Sequence, residues 1–103
     1  MALVHRRVFY AKVGMAAQLV EHLREFGNIA VGQGEALKER VLTDYLSGRT
    51  DRVVWEWEFE DWSQFEHAMQ MEGSDATRAA FQAWERKMNE MIDHAEVENW
   101  TVQ

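Results

Sequence analysis

The sequence predicts an α+β domain, a four-stranded antiparallel sheet with helices packed on one face. Two observations point there. The stretch Arg52–Glu60 places Val53, Trp55, Trp57 and Phe59 at odd positions and Glu56, Glu58 and Glu60 at even ones. Side chains alternate faces along a strand, so this sorting describes a strand with one dry face and one polar face. Two longer stretches, Met15–Val31 and Asp61–Ile92, instead repeat their apolar residues at the spacing of amphipathic helices.

Taken in order, Val4–Val13 reads as the first strand. Phe9, Ala11 and Val13 share one parity, Arg6, Val8, Tyr10 and Lys12 the other, and Gly14 ends it. Met15, Leu19, Leu23, Phe26 and Ala30 form the apolar stripe of a first helix, which Gly32-Gln33-Gly34 stops. Lys38–Leu46 reads as a second strand, and Ser47–Asp51 as a hairpin connection into the aromatic strand. Asp61 is a suitable N-cap, with Gln64 three residues on to complete a capping box. Trp62, Phe65, Ala68 and Met69 then form the apolar face of a helix that Gly73-Ser74 breaks, glycine closing one piece and serine capping the next. The second piece carries Phe81, Trp84, Met88, Met91 and Ile92, and His94–Val102 is the last strand. The order β-α-β-β-α-β is that of a ferredoxin-like fold with expected strand order 4-1-3-2. Phe9, Ala11, Val53, Trp55, Trp57 and Phe59 should face the helices.

A chain of 103 residues is expected to be one domain, residues 1–103, and its 47% hydrophobic content is that of a folded protein. The absence of cysteine removes disulfides, thiolate chemistry and thiolate metal sites together. A net charge of −7, with 18 acidic against 11 basic residues, argues against nucleic acid as a partner. Local clusters (Arg6, Arg7 and Lys12, or Lys38 and Arg40) keep the capacity to hold a small anion. No apolar run resembles a signal peptide or a membrane span, so the expectation is a cytoplasmic protein with no membrane partner.

The second sheet face would show Val8, Tyr10, Leu42 or Thr43, Val54 and Trp100 among its charges, over roughly 400 Å². A partly apolar face of that size is more often an interface than bare surface, which predicts a homodimer closing two such faces into a barrel. The chain resembles the dimeric α+β barrel superfamily, which includes antibiotic-biosynthesis-type monooxygenases, stress-responsive barrel proteins and NIPSNAP-like proteins. The resemblance rests on Phe9-Tyr10-Ala11-Lys12-Val13-Gly14 before the first helix, and on Val53–Trp62 running into Phe65-Glu66-His67-Ala68. It implies a ligand site between sheet and helices or inside the barrel. Haem-degrading members need an asparagine on the first strand and a tryptophan and a histidine in the second helical region. Here the first strand lacks asparagine, Ala68 stands where the tryptophan is expected, and no histidine lies near Phe81. Neither haem nor any other cofactor is expected.

His5, His22, His67 and His94 are scattered without ligand spacing, so no metal site is expected. His67 is the most plausible functional histidine because it follows the aromatic strand. Glu56 and Glu58 would point into a closed barrel, where a carboxylate must be paired or protonated. Arg6 has the parity to meet one of them, and Arg40 or Lys12 the other. Such a set serves a polar pocket, with a glutamate base or an anion-holding arginine, or an ion-pair network fixing dimer register. Tyr10 joins it on the same face. Trp55, Trp57, Phe65 and Trp84 either wall an aromatic pocket under the helices or fill a solid core. The candidate ligand-binding residues are therefore Arg6, Tyr10, Glu56, Glu58, His67, Trp55, Trp57 and Trp84. Three functions fit: a NIPSNAP-like barrel binding a small organic molecule, a cofactor-free monooxygenase acting on an aromatic or polyketide-like compound, and a structural or regulatory dimer module.

Overall fold

The computed structural model of the chain describes residues 2–26, 38–44, 51–69 and 75–103. Strand β1 (Leu3–Ala11) is followed by helix α1 (Ala16–Arg24), strands β2 (Lys38–Thr43) and β3 (Arg52–Phe59), helices α2 (Trp62–Met69) and α3 (Asp75–Met91), and strand β4 (Ile92–Thr101). The strands form one antiparallel sheet in the order β2-β3-β1-β4, the expected order read from the opposite edge. The element order and sheet make this an α+β ferredoxin-like fold.

The alternation in β3 does what its chemistry demands. Val53, Trp55, Trp57 and Phe59 are buried against the helices together with Leu3, Phe9 and Ala11 of β1. From the helices come Leu19 and Leu23 of α1 and Trp84, Met88 and Met91 of α3. The large rings interlock. Trp55 lies 4.1 Å from Trp57 and 5.7 Å from Trp84, and Phe26 stands edge-on to Trp55 at 5.0 Å while also meeting Trp84 at 5.0 Å. Among the described residues Trp55, Trp57 and Trp84 therefore belong to a filled layer. Phe65 joins a neighbouring cluster, 5.5 Å from Phe59 and 5.0 Å from His5.

A reciprocal clasp ties α1 to α3. The buried His22 Nε2 lies 2.7 Å from the Trp84 carbonyl oxygen, and Trp84 Nε1–H donates to the His22 carbonyl at 2.8 Å. The two rings stack at 4.9 Å. The imidazole is satisfied at Nε2 by the Trp84 carbonyl, while its buried Nδ1 makes no hydrogen bond and lies 3.5 Å from Glu25 Oε2.

Several boundaries differ from the sequence expectation. β1 ends at Ala11 and Val13 is fully exposed, because Lys12 N–H turns away to the Met91 carbonyl and Met15 N–H closes back onto Lys12. Gly14 follows with φ of 78°, a conformation that favours glycine. β4 starts two residues early, directly from α3. Trp62 and Met69 are largely exposed, so the apolar face of α2 is only partly covered. The capping residues act nearly as expected: Gln64 N–H donates to Asp61 Oδ1, but Gln64 Oε1 accepts from Glu60 N–H, one residue before the cap. The expected stops at Gly32-Gln33-Gly34, Ser47–Thr50 and Gly73-Ser74 lie outside the described residues.

Trp84→Ala removes both the ring layer and one half of the clasp. It is expected to destabilise the fold by about 3–5 kcal/mol, the range for emptying an aromatic core position, measured by urea denaturation. A loss below about 1 kcal/mol would mean that the aromatic layer is not close-packed.

Candidate functional site

The sheet face away from the helices carries the charges. Backbone register sets Arg40 of β2, Glu56 of β3, Arg6 of β1 and Glu98 of β4 side by side in one row across all four strands. Glu56 is the centre. Its Oε1 accepts from Arg6 Nε at 2.9 Å and Nη2 at 2.6 Å, and its Oε2 from Arg40 Nε at 2.5 Å. Arg6 Nη1 reaches on to Glu98 Oε1 at 3.3 Å.

The Glu56 side chain is only 5% exposed. Burial alone would push its carboxyl upward, but the hydrogen bonds and charges of Arg6 and Arg40 outweigh it and hold the group below its ordinary value. Glu56 is thus an ionised, fully engaged carboxylate, the opposite of a glutamate poised as a base. The expected Arg6–Glu56 pairing is present. Arg40 completes the same carboxylate instead of serving Glu58, and Lys12 lies exposed beyond the strand end.

Beside this row lies a cleft of about 150 Å³, lined by Val4, Arg6, Lys38, Arg40, Glu56, Glu58 and Trp100. Its second row is Lys38–Glu58–Val4–Trp100, again in direct register. Trp100 is 55% exposed, and its indole N–H is fixed on Glu98 Oε1 at 3.0 Å. Glu58 and Lys38 make no hydrogen bond or ion pair among the described residues. Tyr10 is on the same face towards the far end of β1, stacked on His94 at 4.2 Å. A second ion pair, Arg52 with Asp44 at 2.6 Å, holds the β2–β3 hairpin at that end.

The candidate residues therefore divide between the two sheet faces. Arg6, Glu56 and Glu58 meet at the cleft and Tyr10 shares their face, whereas Trp55, Trp57 and Trp84 are in the core. His67 is exposed on α2 and joins neither group. Sequence reasoning put Trp100 on this face and Lys38 beside Arg40 in an anion-holding cluster without counting either among the ligand-binding residues, and it missed Val4 altogether. It also missed His5, buried on the helix face with Nδ1 2.7 Å from Asn99 Oδ1 and its ring parallel to Trp57. Burial lowers the His5 pKa against the Asn99 hydrogen bond, and the Arg7 charge adds to the lowering, so this imidazole is neutral at pH 7. Among the described residues no three His, Asp or Glu converge as metal ligands, and no helix is long and apolar enough to cross a membrane.

Arg6→Ala leaves Glu56 with Arg40 alone. Because Arg6 is one-third exposed and one partner remains, the expected cost is about 1–3 kcal/mol, below the roughly 3–5 of a fully orphaned buried ion. The lowered Glu56 pKa also fixes a pH dependence. A depressed carboxyl contributes stability that is complete above the unfolded value near 4.5 and is lost as pH falls through the lower folded value. The stability difference between wild type and Glu56→Gln, measured by urea midpoints, should be full at neutral pH and shrink as the solution is taken below 4.5.

No protein-family model and no curated protein matches the sequence. Solved structures do match in shape. A NIPSNAP domain protein from Burkholderia xenovorans superposes with a TM-score of 0.74 at 19% identity, covering 98% of this chain and 94% of its own. A NIPSNAP family protein from Agrobacterium tumefaciens gives a TM-score of 0.74 at 16% identity, covering 100% and 94%. SnoaB, a cofactor-independent oxygenase from Streptomyces nogalater, gives 0.71 at 11% identity over 99% and 93%. The chain thus shares its α+β ferredoxin-like fold with solved structures of NIPSNAP family proteins and of a cofactor-independent oxygenase.

Proposed function

We propose that the chain works as a homodimer whose two open sheet faces close over a small organic ligand held in the cleft. The observation that carries this reading is the charge sequence across the face. From β2 to β4 the row reads Arg40, Glu56, Arg6, Glu98, alternating positive and negative. A two-fold axis parallel to the strands, between β1 and β3, reverses that row. Arg40 then faces Glu98 and Glu56 faces Arg6, so every charge meets its opposite in the second copy.

Two contacts in the adjoining rows support the same axis. Reversal sets Val54 over Val8 and Lys38 over the exposed Trp100 indole, an apolar contact and a cation–π contact. It also sets the two clefts opposite each other, making one shared chamber. On the helix side, Trp55, Trp57, Trp84 and Phe26 occupy the layer where a ligand would otherwise lie, which favours the open face as the site.

Sedimentation at micromolar concentration is expected to give a species of twice the 12.1 kDa chain mass. Glu98→Lys, which sets a cation opposite Arg40 of the second copy while leaving both partners of Glu56 in place, should weaken the dimer about tenfold or more. A wild type that sediments only as the single chain would overturn the dimer. Ligand occupancy is read separately, as movement of the Trp100 indole N–H resonance with a set of neutral and charged single-ring fragments. A set that leaves that resonance unmoved would overturn the chamber.

A further inference from the structure

We infer that Arg7 anchors a second site, on the sheet face opposite the chamber, which takes a small aliphatic carboxylate with its carbon chain against Val97. The site begins with what the helices leave uncovered. Arg7 has the parity of His5 and Phe9, so it stands on the helix side of β1, in direct register with Trp55 of β3 and Val97 of β4. Trp55 is buried, whereas Val97 is 55% exposed. Ala95, Asn99 and Thr101, which share the helix side of β4 with Val97, are exposed too. The helical layer therefore ends over β1, and Arg7 lies half-buried at its margin.

Among the arginines of the sheet, Arg7 stands apart. Arg6, Arg40 and Arg52 each hold a carboxylate oxygen at 2.6 Å or less. Arg7 meets none among the described residues, in a chain with 18 acidic residues against 11 basic ones. Glu39, the helix-side carboxylate of β2, is two strands from β1, about 10 Å at ordinary strand spacing, and accepts from the Trp55 indole N–H. A partly desolvated guanidinium with no counter-charge favours an anion taken from solution.

The contacts of the guanidinium decide which anion. Its Nε turns to His5 Nε2 at 3.5 Å, a long contact, and Nη1 and Nη2 have no partner among the described residues. His5 Nδ1–H donates to Asn99 Oδ1 at 2.7 Å, so the lone pair of the neutral ring is on Nε2, towards Arg7. Facing His5 are Arg7 on its own strand, Asn99 of β4, Trp57 of β3 and Phe65 of α2, and of these only Arg7 is charged. The site thus offers one positive charge and the edge between Nη1 and Nη2, which a carboxylate matches in charge and in geometry. A second negative charge on the ligand has no cation to meet. The exposed Val97, directly opposite Arg7, gives the carbon chain an apolar surface. The Arg7 charge is also one of the influences that lower the His5 pKa. A bound carboxylate neutralises that charge, so binding raises the His5 pKa and, by linkage, tightens as His5 takes up a proton.

The test titrates the wild-type chain with butyrate, butyramide and inorganic phosphate, following the His5 ring protons and the Arg7 Nε–H by NMR. Butyrate is expected to bind saturably, with butyramide and phosphate each about tenfold weaker or more. Its affinity should rise as the solution is taken from about pH 7.5 to 5.5. Val97→Glu sets a carboxylate directly opposite Arg7 at an exposed position, so it should weaken butyrate about tenfold or more while leaving Tm nearly unchanged. Arg7→Gln should lose butyrate binding to the same extent. Butyramide or phosphate binding as tightly as butyrate would overturn the carboxylate assignment, as would an unchanged butyrate affinity in Val97→Glu. His5 and Arg7 resonances that butyrate leaves unmoved would overturn the site itself. Because the site lies on the opposite face of the sheet, each of these outcomes is independent of whether the chain dimerises and of whether the chamber holds a ligand.

Discussion

One buried carboxylate organises the open side of the sheet. Glu56 sits on β3 with a cation from each neighbouring strand, Arg40 of β2 and Arg6 of β1, and Arg6 passes the contact on to Glu98 of β4. A single chain of charge-assisted contacts therefore crosses every strand. Removing one member leaves a desolvated ion short of a partner, so the network specifies arrangement more than it adds net stability. Its specificity is a matter of register. A slip of one residue would turn Glu56 into the aromatic core, and a slip of two would set Val54 or Glu58 against Arg6.

The opposite face of the same strand is governed by packing. Trp55, Trp57 and Phe59 have no charge to satisfy, and their rings meet Phe26, Phe65 and Trp84 at the distances of tilted and edge-on aromatic pairs. Among the described residues most polar groups in this layer have a partner, the buried His22 Nδ1 being an exception. Trp55 donates its indole N–H to Glu39, His5 meets Asn99, and His22 exchanges hydrogen bonds with Trp84. Strand β3 thus divides the molecule into a side that is full and a side that is charged and recessed.

How much of this could be read in the sequence follows from the range of each interaction. The alternation in Arg52–Glu60 and the helical stripes are local, and they carried the element order and strand order. The Arg6–Glu56 pairing followed from parity and adjacency of central strands. That Arg40 shares the same carboxylate, and that Trp100 and Lys38 border one cleft, depends on the registers of both edge strands, which no local pattern encodes. His5 and His22 were weighed as lone histidines, and their roles come from Asn99 and Trp84, far away in the chain. The end of β1 was misplaced because Val13 continues the apolar parity while its neighbour's N–H already bonds to Met91.

Met91 is the last residue of α3 and Ile92 the first of β4, with no connector between them. The junction is pinned by Lys12 N–H on the Met91 carbonyl, and the pairing of β1 with β4 shifts register between Tyr10 and Ala11 beside it. Helix and strand are thus one mechanical piece, with no slack to absorb a change in length. Adding or deleting one residue at this joint would exchange the two faces of β4, delivering Val97 and Asn99 to the charged side and withdrawing Glu98 and Trp100 from it. The residues bordering the recess are therefore dictated by where a helix on the other side of the sheet stops, so divergence in α3 length acts on the distant face as directly as substitution within it.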